Sequence, residues 1–260
     1  MAKVVLDAGH GGSNPGAVYK GRREKDDVLK LTLAIGEILR DNGVDVVYTR
    51  TDDRFDSPLQ KANIANASGA DLFVSLHRNS SPMPDQYSGI ETLVYEDEGT
   101  AAELARNINQ QVSEIGWNDL GVNERKDLIV LRRTNMPAAL VEAGFINTDA
   151  DNEKFDQDFN ELANAIATGI LETVDKLNAS GKQTDTYRVQ IGLYRSPGNA
   201  RYQLNRAMED GYEGMITPFR EFQAVRLGAF ETLDEAAKLE RELKRKGYDT
   251  LIVMDSEQKI

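Results

Sequence analysis

Short apolar runs alternate with longer amphipathic segments through the first 177 residues, and this alternation restricts the fold more than any other feature. The runs have the length of strands, whereas the longer segments carry apolar residues at helical spacing. The predicted strands are residues 3–7, 44–48, 71–76, 90–95, 129–131 and 138–141, and the predicted helices are residues 26–41, 58–67, 100–115 and 158–177. This order predicts an α/β domain with a mostly parallel or mixed sheet flanked by helices.

The chain changes character at residues 178–186, where the polar segment NASGKQTDT is typical of a linker. After it, VQIGLY (189–194) recurs as VRLGAF (225–230). Each copy is followed by a helical segment that ends in Gly-Tyr and then by a short strand, at 215–217 and 250–253. This βαββαβ order predicts a small ferredoxin-like domain. We therefore expect a larger domain at 1–177, a linker at 178–186 and a second domain at 187–260.

Composition limits the ligands and partners of the chain. It has no cysteine, which excludes disulfides and thiolate metal sites. All of the net charge of −12 lies in residues 1–185, and the remainder is balanced, which argues against nucleic-acid binding. No apolar run approaches the roughly 18 residues of a transmembrane helix, and the first residues run directly into a strand, so we expect no signal peptide in this chain. We expect a monomer.

The chain has two histidines, and each closes an apolar run that ends in a turn. His10 follows VVLDAG, and His77 follows DLFVSL. Because ligand sites of open α/β sheets form at the carboxyl ends of strands, we expect the two imidazoles to meet there. Two carboxylates have comparable places, Glu24 after a glycine-rich loop and Glu142 at the end of AALVE.

Two imidazoles and one carboxylate make a ligand set that suits zinc and leaves one position for water. The other carboxylate would serve as the general base for that water and as the proton donor to a leaving amine. Spacing alone does not decide whether Glu24 or Glu142 is the ligand. A metal-dependent hydrolase and ordinary structural roles, such as a loop histidine or a salt-bridged carboxylate, both stay open at this level.

Four segments in order carry a resemblance to a known family: DAGHGGSNPGA, Glu24, SLHRNS and MPAALVEAGFINTDAD. They resemble the zinc-dependent N-acetylmuramoyl-L-alanine amidases of cell-wall turnover, sporulation and phage lysis, over residues 2–177. The resemblance implies that His10, Glu24 and His77 bind Zn²⁺ and that Glu142 is the catalytic carboxylate. It also implies a mixed sheet flanked by helices and cleavage of the amide that joins N-acetylmuramic acid to L-alanine in peptidoglycan.

Two other functions are compatible with parts of this pattern. A zinc peptidase would use the same metal chemistry to cleave within the stem peptide or the cross-bridge. A wall-binding protein with an inactive catalytic domain is disfavoured because all four of the implied site residues are intact.

The chain departs from the usual pattern of the family at Ala8, Lys61 and Arg78, where proline, arginine and alanine are usual. None of these is an implied ligand. Arg78 stands beside one, where it could bind a stem-peptide carboxylate or simply be solvated, and we predict that Arg78 and Asn79 contact substrate. Eleven residues separate His77 from Gly89, too few for the long helical insertion that blocks zinc in some relatives, so we expect an open site.

The second domain resembles SPOR domains, which bind peptidoglycan glycan strands that lack stem peptides. YRVQIGLY carries this resemblance, which covers residues 186–255. Strand alternation turns the aliphatic residues of the repeat toward its helices and other residues toward an open face. The predicted glycan-binding residues are Gln190, Tyr194, Arg226 and Phe230.

Two alternatives to a glycan-binding domain stay open. An RNA-recognition fold has the same topology, but the balanced charge and the missing aromatic-rich motif disfavour it. A purely structural pairing domain is the other. The expected substrate lies outside the cell membrane, so we expect release by lysis of a phage host or mother cell, or an export signal that has been removed.

Overall fold

The computed structural model describes residues 2–181, 186–230 and 232–255, and the chain divides into two units, residues 1–178 and 179–260. The strands of the first unit are β1 (Lys3–Ala8), β2 (Val18–Tyr19), β3 (Arg22–Arg23), β4 (Asp45–Tyr48), β5 (Leu72–Asn79), β6 (Ile90–Val94), β7 (Asp119–Glu124) and β8 (Ala138–Phe145). Its helices are α1 (Glu24–Asp41), α2 (Pro58–Ser68), α3 (Gly99–Glu114), α4 (Ile129–Arg132), α5 (Asp149–Gln157) and α6 (Phe159–Gly181). Within the described ranges, no helix is long and apolar enough to cross a membrane.

The first unit is built on a mixed sheet with the strand order β4-β1-β5-β8-β6-β7. The first four strands in this order, β4, β1, β5 and β8, are parallel. β6 is antiparallel to β8, and β7 is parallel to β6. The carboxyl ends of β1, β5 and β8 therefore meet at one edge. This arrangement confirms the predicted α/β class.

Helices cover both faces of this sheet. The apolar residues of α1 recur at helical spacing, and Val28, Leu31 and Ile35 are fully buried in the larger core together with α3 and α6. A smaller core on the opposite face joins the strands to α2 and α4 and includes Phe73 of β5 and Leu140 of β8. Side chains of a strand alternate between its two faces. His77 on β5 and Glu142 on β8 therefore lie on the same face as Phe73 and Leu140, which is the face of α2 and α4.

One local prediction was wrong, and an edge strand of the main sheet was not predicted. Residues 129–131 form the short helix α4 rather than a strand, since an apolar run of three residues carries no periodicity that could separate the two. The edge strand β7 was missed because its residues are mostly exposed and polar, without an alternating apolar face.

The second unit consists of β9 (Thr186–Tyr194), α7 (Pro197–Glu209), β10 (Gly214–Phe219), β11 (Phe222–Phe230), α8 (Leu233–Arg245) and β12 (Leu251–Asp255). Its antiparallel sheet has the order β10-β11-β9-β12. The repeat supplies the centre of its core through Val189, Val225 and Leu227. The βαββαβ order is as predicted. The linker prediction needs correction at its start, because α6 continues to Gly181; residues 182–185 lie outside the described residues.

Candidate active site

The edge where β1, β5 and β8 end carries both histidines and Glu142. His10 lies two residues after the end of β1. His77 and Glu142 lie in the last four residues of β5 and β8 and are direct neighbours in the parallel register. Glu24 is the first residue of α1. The strands thus run slightly further than predicted, but they bring all four residues to one place.

The three predicted metal ligands converge. His10 Nε2 lies 2.9 Å and His77 Nδ1 lies 2.8 Å from Glu24 Oε1. One ligand atom from each residue lies within 4.8 Å of the others, and the two imidazole rings meet edge to face. Two nitrogens and one oxygen in this arrangement fit the donor set of a hydrolytic zinc site.

The glycine-rich loop after β1 is shaped around these ligands. His10 has a left-handed backbone conformation, with φ of 57°, which is unusual for a residue other than glycine. A Cβ at Gly9 would lie 2.5 Å from His77 Cε1, and one at Gly16 would lie 2.5 Å from Glu24 Oε2. Both positions therefore need glycine, because any side chain would displace a ligand.

Hydrogen bonds fix the orientation of the ligands. Asn14 Oδ1 lies 3.2 Å from His10 Nδ1, and the backbone N–H groups of Ala17 and Arg78 donate to the Glu24 carboxylate at 2.9 and 3.1 Å. Such partners hold a ligand in its binding orientation. Although burial opposes the shift, hydrogen bonds from His10 and His77 hold the pKa of Glu24 far below its ordinary value. The pKa of His77 is raised. Burial opposes this rise, and the hydrogen bond to Glu24 causes it.

Two buried cations hold the backbone before His10. The Arg50 guanidinium donates to the carbonyls of Ala8 and Gly9 at 3.0 and 2.7 Å. It also donates to the carbonyl of Lys25, the residue after Glu24. Lys61 Nζ donates to the Ala8 carbonyl at 2.6 Å and pairs with Asp7. Sequence reasoning missed both roles, because the carbonyl that a cation will bind leaves no signal in a single sequence.

Glu142 is surrounded by features that favour its protonated form. Burial, with Glu24 and Glu91 nearby, raises the pKa of Glu142 to about 7. Glu91 on β6 is its direct antiparallel neighbour. Glu142 Oε2 is buried and has no hydrogen-bond partner among the described residues. A carboxyl group that changes protonation state near neutral pH suits general acid–base catalysis.

Comparison with known proteins identifies both units. Residues 4–172 match the N-acetylmuramoyl-L-alanine amidase family, and residues 183–254 match the SPOR domain. The chain belongs to the N-acetylmuramoyl-L-alanine amidase family. We refer below to residues 1–178 as the amidase unit and to residues 179–260 as the SPOR unit.

Relatives and solved structures agree with this membership. A sporulation-specific N-acetylmuramoyl-L-alanine amidase of Bacillus subtilis is 33% identical, over 83% of this chain and 84% of that protein. An endolysin of Bacillus phage SPP1 is 38% identical, over 70% of this chain and 69% of that protein. The crystal structure of an N-acetylmuramoyl-L-alanine amidase from Clostridium difficile 630 covers 67% of this chain and 97% of its own, with 34% identity and a TM-score of 0.64. These matches support the amidase prediction and not the zinc-peptidase alternative.

Asn79 lies beside the catalytic region of the amidase unit, in a group that also contains a residue that was not predicted. The Glu91 carboxylate accepts hydrogen bonds from Asn79 Nδ2 and Asn123 Nδ2, each at 2.9 Å. Glu91 thus holds two carboxamides next to Glu142. Its place inside an alternating strand made it indistinguishable from an ordinary polar residue of β6.

Arg78 does not occupy the place predicted for it. Its side chain has no exposed surface, and its guanidinium donates to Asp27 Oδ2 at 2.8 Å and to Asn152 Oδ1 at 2.9 Å. The guanidinium also stacks over the Phe155 ring, at 4.2 Å. Burial, together with nearby Arg22, lowers the pKa of Arg78 to about 10. Arg78 is therefore neither solvated nor placed to contact a substrate; it links β5 to α1 and α5.

The open face of the SPOR unit differs from the prediction in both aromatic residues. β9 and β11 shift register at Ile191, where one strand has an extra residue. This shift turns Leu193 outward, at 41% exposure, and turns Tyr194 onto the core. The second copy repeats the pattern, since the Phe230 ring lies over Gly228 on the side of Leu239.

Gln190 and Arg226 lie on the open face as predicted. They are direct cross-strand neighbours and are half-buried. Met215 and Leu251 extend the same row across the sheet, at 41% and 59% exposure. The open face thus presents two polar side chains between two aliphatic ones, rather than two aromatic rings.

Proposed function

We propose that this protein is a zinc-dependent peptidoglycan hydrolase that cleaves the amide between N-acetylmuramic acid and the L-alanine of the stem peptide. The observation that carries the proposal is the convergence of His10, Glu24 and His77 beside a carboxyl group, Glu142, whose pKa is raised to about 7. Membership of the amidase family supports the same reaction.

In this proposal His10, Glu24 and His77 hold the zinc ion. The fit rests on the donor set, two imidazole nitrogens and a carboxylate oxygen that the folded chain gathers without help from other residues. When bound, zinc supplies a Lewis acid that polarises the amide carbonyl and makes a water molecule acidic enough to attack at neutral pH. Glu24 is deeply buried, and its hydrogen bonds keep that ligand ionised in spite of the burial.

Glu142 moves the proton. Near pH 7 its carboxyl group exists in both forms, so the ionised form takes a proton from the attacking water and the protonated form gives it to the departing nitrogen of L-alanine. The buried position of Oε2 keeps bulk water from competing for that proton. Asn79 and Asn123, held by Glu91, bind polar groups of the substrate on this side.

The SPOR unit binds glycan strands of peptidoglycan, and the central row of its open sheet face is the contact surface. Gln190 and Arg226 supply hydrogen bonds there, and Met215 and Leu251 supply apolar contact with the sugar rings. Two linked binding units raise the effective concentration of the enzyme on the wall. We infer that the protein acts as a monomer on extracytoplasmic wall, reached through lysis or export.

Digestion of purified sacculi by the zinc-loaded protein tests this function. Mass spectrometry of the products should show new N-termini on L-alanine and muramic acid residues without peptide. The Glu142→Gln protein, with its zinc intact, should release neither product. New ends inside the stem peptide or the cross-bridge would instead identify a peptidase.

A further inference from the structure

A cavity of about 300 Å³ opens beside two of the metal ligands, and the mechanism above gives it no role. His10, His77 and Asn14 lie on its wall. The apolar residues that line it are Phe55, Pro58, Leu128, Ile129, Val130 and Leu140. This volume lies at the lower end of small-ligand sites, about 300–1,000 Å³, and such sites combine apolar walls with a few polar groups.

The charges around the cavity disfavour an anionic occupant. Apart from the two histidines, Lys61 is the cation among the described residues that line it, and Lys61 is paired with buried Asp7. Asp56 and Asp127 add carboxylates to the wall, and they are paired with Arg54 and Arg125. Among the described residues of the wall, a stem-peptide carboxylate would therefore find no lysine or arginine that is not already paired with a carboxylate. A neutral ligand with hydroxyl groups suits this wall, because Asn14, Asp56 and Asp127 carry oxygen atoms that accept hydrogen bonds.

The direction of the reaction indicates which half of the substrate lies here. The residues that line the cavity belong to β1 and the loop after it, to β5 and β8, and to the segments 55–61 and 127–130; no described residue of β6 or β7 is among them. Glu91 and Asn123 lie on β6 and β7, beyond Glu142 in the order of the sheet. Because Glu142 protonates the departing nitrogen, the peptide half extends toward β6 and β7. The acyl half then extends the other way, past the metal ligands and into the cavity.

We propose that this cavity binds the sugar ring of the N-acetylmuramoyl residue whose lactyl amide is cleaved. This assignment rests on the proposed function and adds the orientation of the substrate to it. Phe55 is 46% exposed, and its ring offers a flat apolar surface to the less polar face of a pyranose. The cavity volume admits one such residue rather than a glycan segment.

The test compares two substrates that differ only in the sugar. They are N-acetylmuramoyl-tripeptide and the lactyl-tripeptide that has the same peptide and no sugar, and both are cleaved by the zinc-loaded full chain. In the Phe55→Ala protein, the ratio of kcat/KM for the first substrate to that for the second should fall about tenfold, as for a lost apolar contact in a specificity pocket. Ile129→Phe, which fills the cavity, should lower the same ratio.

Leu59→Ala is the matched control, because Leu59 is 51% exposed on the same segment and does not line the cavity. It should leave the ratio unchanged. A ratio that stays at the wild-type value in both cavity variants would overturn the assignment. The assignment would also be overturned if the effect of Phe55→Ala on kcat/KM depended on the length of the peptide and not on the presence of the sugar. The stem peptide would then be the occupant of the cavity. If the wild-type protein cleaves within the peptide, the proposed function fails as well, and the products distinguish that failure from this one.

Discussion

Replacing Glu142 with glutamine should remove a pH dependence from the stability of the metal-free protein. The pKa of Glu142 is about 7 in the folded protein and 4.5 for an unperturbed group, so the folded state binds this proton more tightly than the unfolded state does. The resulting stabilisation is fully present below pH 4.5 and is lost as the pH rises through about 7. Glutamine cannot ionise and has no such dependence.

The size of the effect follows from the two pKa values. One pKa unit corresponds to about 1.4 kcal/mol, so the wild-type protein should lose about 2–3 kcal/mol relative to Glu142→Gln between about pH 5 and pH 8. Both proteins contain the same histidines and the same Glu24, so the contributions of those groups largely cancel in the comparison. The unpartnered Oε2 shifts the absolute stabilities of the two proteins but adds little to the pH-dependent difference.

Urea unfolding with a chelator present measures this difference. Trp117 is the single tryptophan of the chain and is buried in the amidase unit, so its fluorescence reports the unfolding of that unit within the full chain. A difference in unfolding free energy that stays constant from about pH 5 to pH 8 would refute the argument. It would mean that Glu142 titrates as an ordinary glutamate and lacks the environment described above.

Three further predictions address the metal, its support and the SPOR unit. His77→Ala should lose stoichiometric zinc by metal analysis, because one of three ligands is gone, and wild-type retention would contradict the assignment. Arg78→Ala removes one of the two arginines that bind Asp27 and frees the end of β5, so chelator competition should show about 10–100-fold weaker zinc binding. Ile108→Ala, a core change remote from the site, should not show this loss, and an equal loss in both would refute a specific role. Tyr194→Ala should lower the Tm of the SPOR unit, whereas Gln190→Ala should weaken sacculus retention at unchanged Tm. If Tyr194→Ala instead weakened retention at unchanged Tm and Gln190→Ala lowered the Tm, Tyr194 would belong to the binding face.

The clustering of the proposed metal ligands could be predicted because the two histidines follow a rule of sheet topology. Parallel strands end at one edge, so polar residues that close two apolar runs meet in space whatever their separation in sequence. Glu91 escaped this reasoning because it enters the site from β6, which runs antiparallel to β8. Its position relative to the site depends on strand pairing, which the sequence pattern does not contain.

The open face of the SPOR unit illustrates a different limit. Alternation assigned Gln190 and Arg226 correctly, but it failed after Ile191 on β9 and after Leu227 on β11, where the register of the two strands shifts. The aromatic residues at the ends of both repeats therefore pack inward or over a glycine instead of facing a ligand. A bulge of one residue has no periodic signature that a sequence pattern could show.

If His10, Glu24 and His77 bind zinc as proposed, their separation along the chain couples metal supply to folding. His10, Glu24 and His77 belong to different segments, and His77 and Glu24 are 53 positions apart, so an unfolded chain cannot present them together. A ligand that binds the native state alone adds about 2.7 kcal/mol of stability at a free concentration 100 times its Kd. The amidase unit should consequently resist heat and proteolysis more strongly as the logarithm of the free zinc concentration rises, while the SPOR unit gains nothing. Scarcity of the metal would then lower the stability of this hydrolase as well as stop its chemistry.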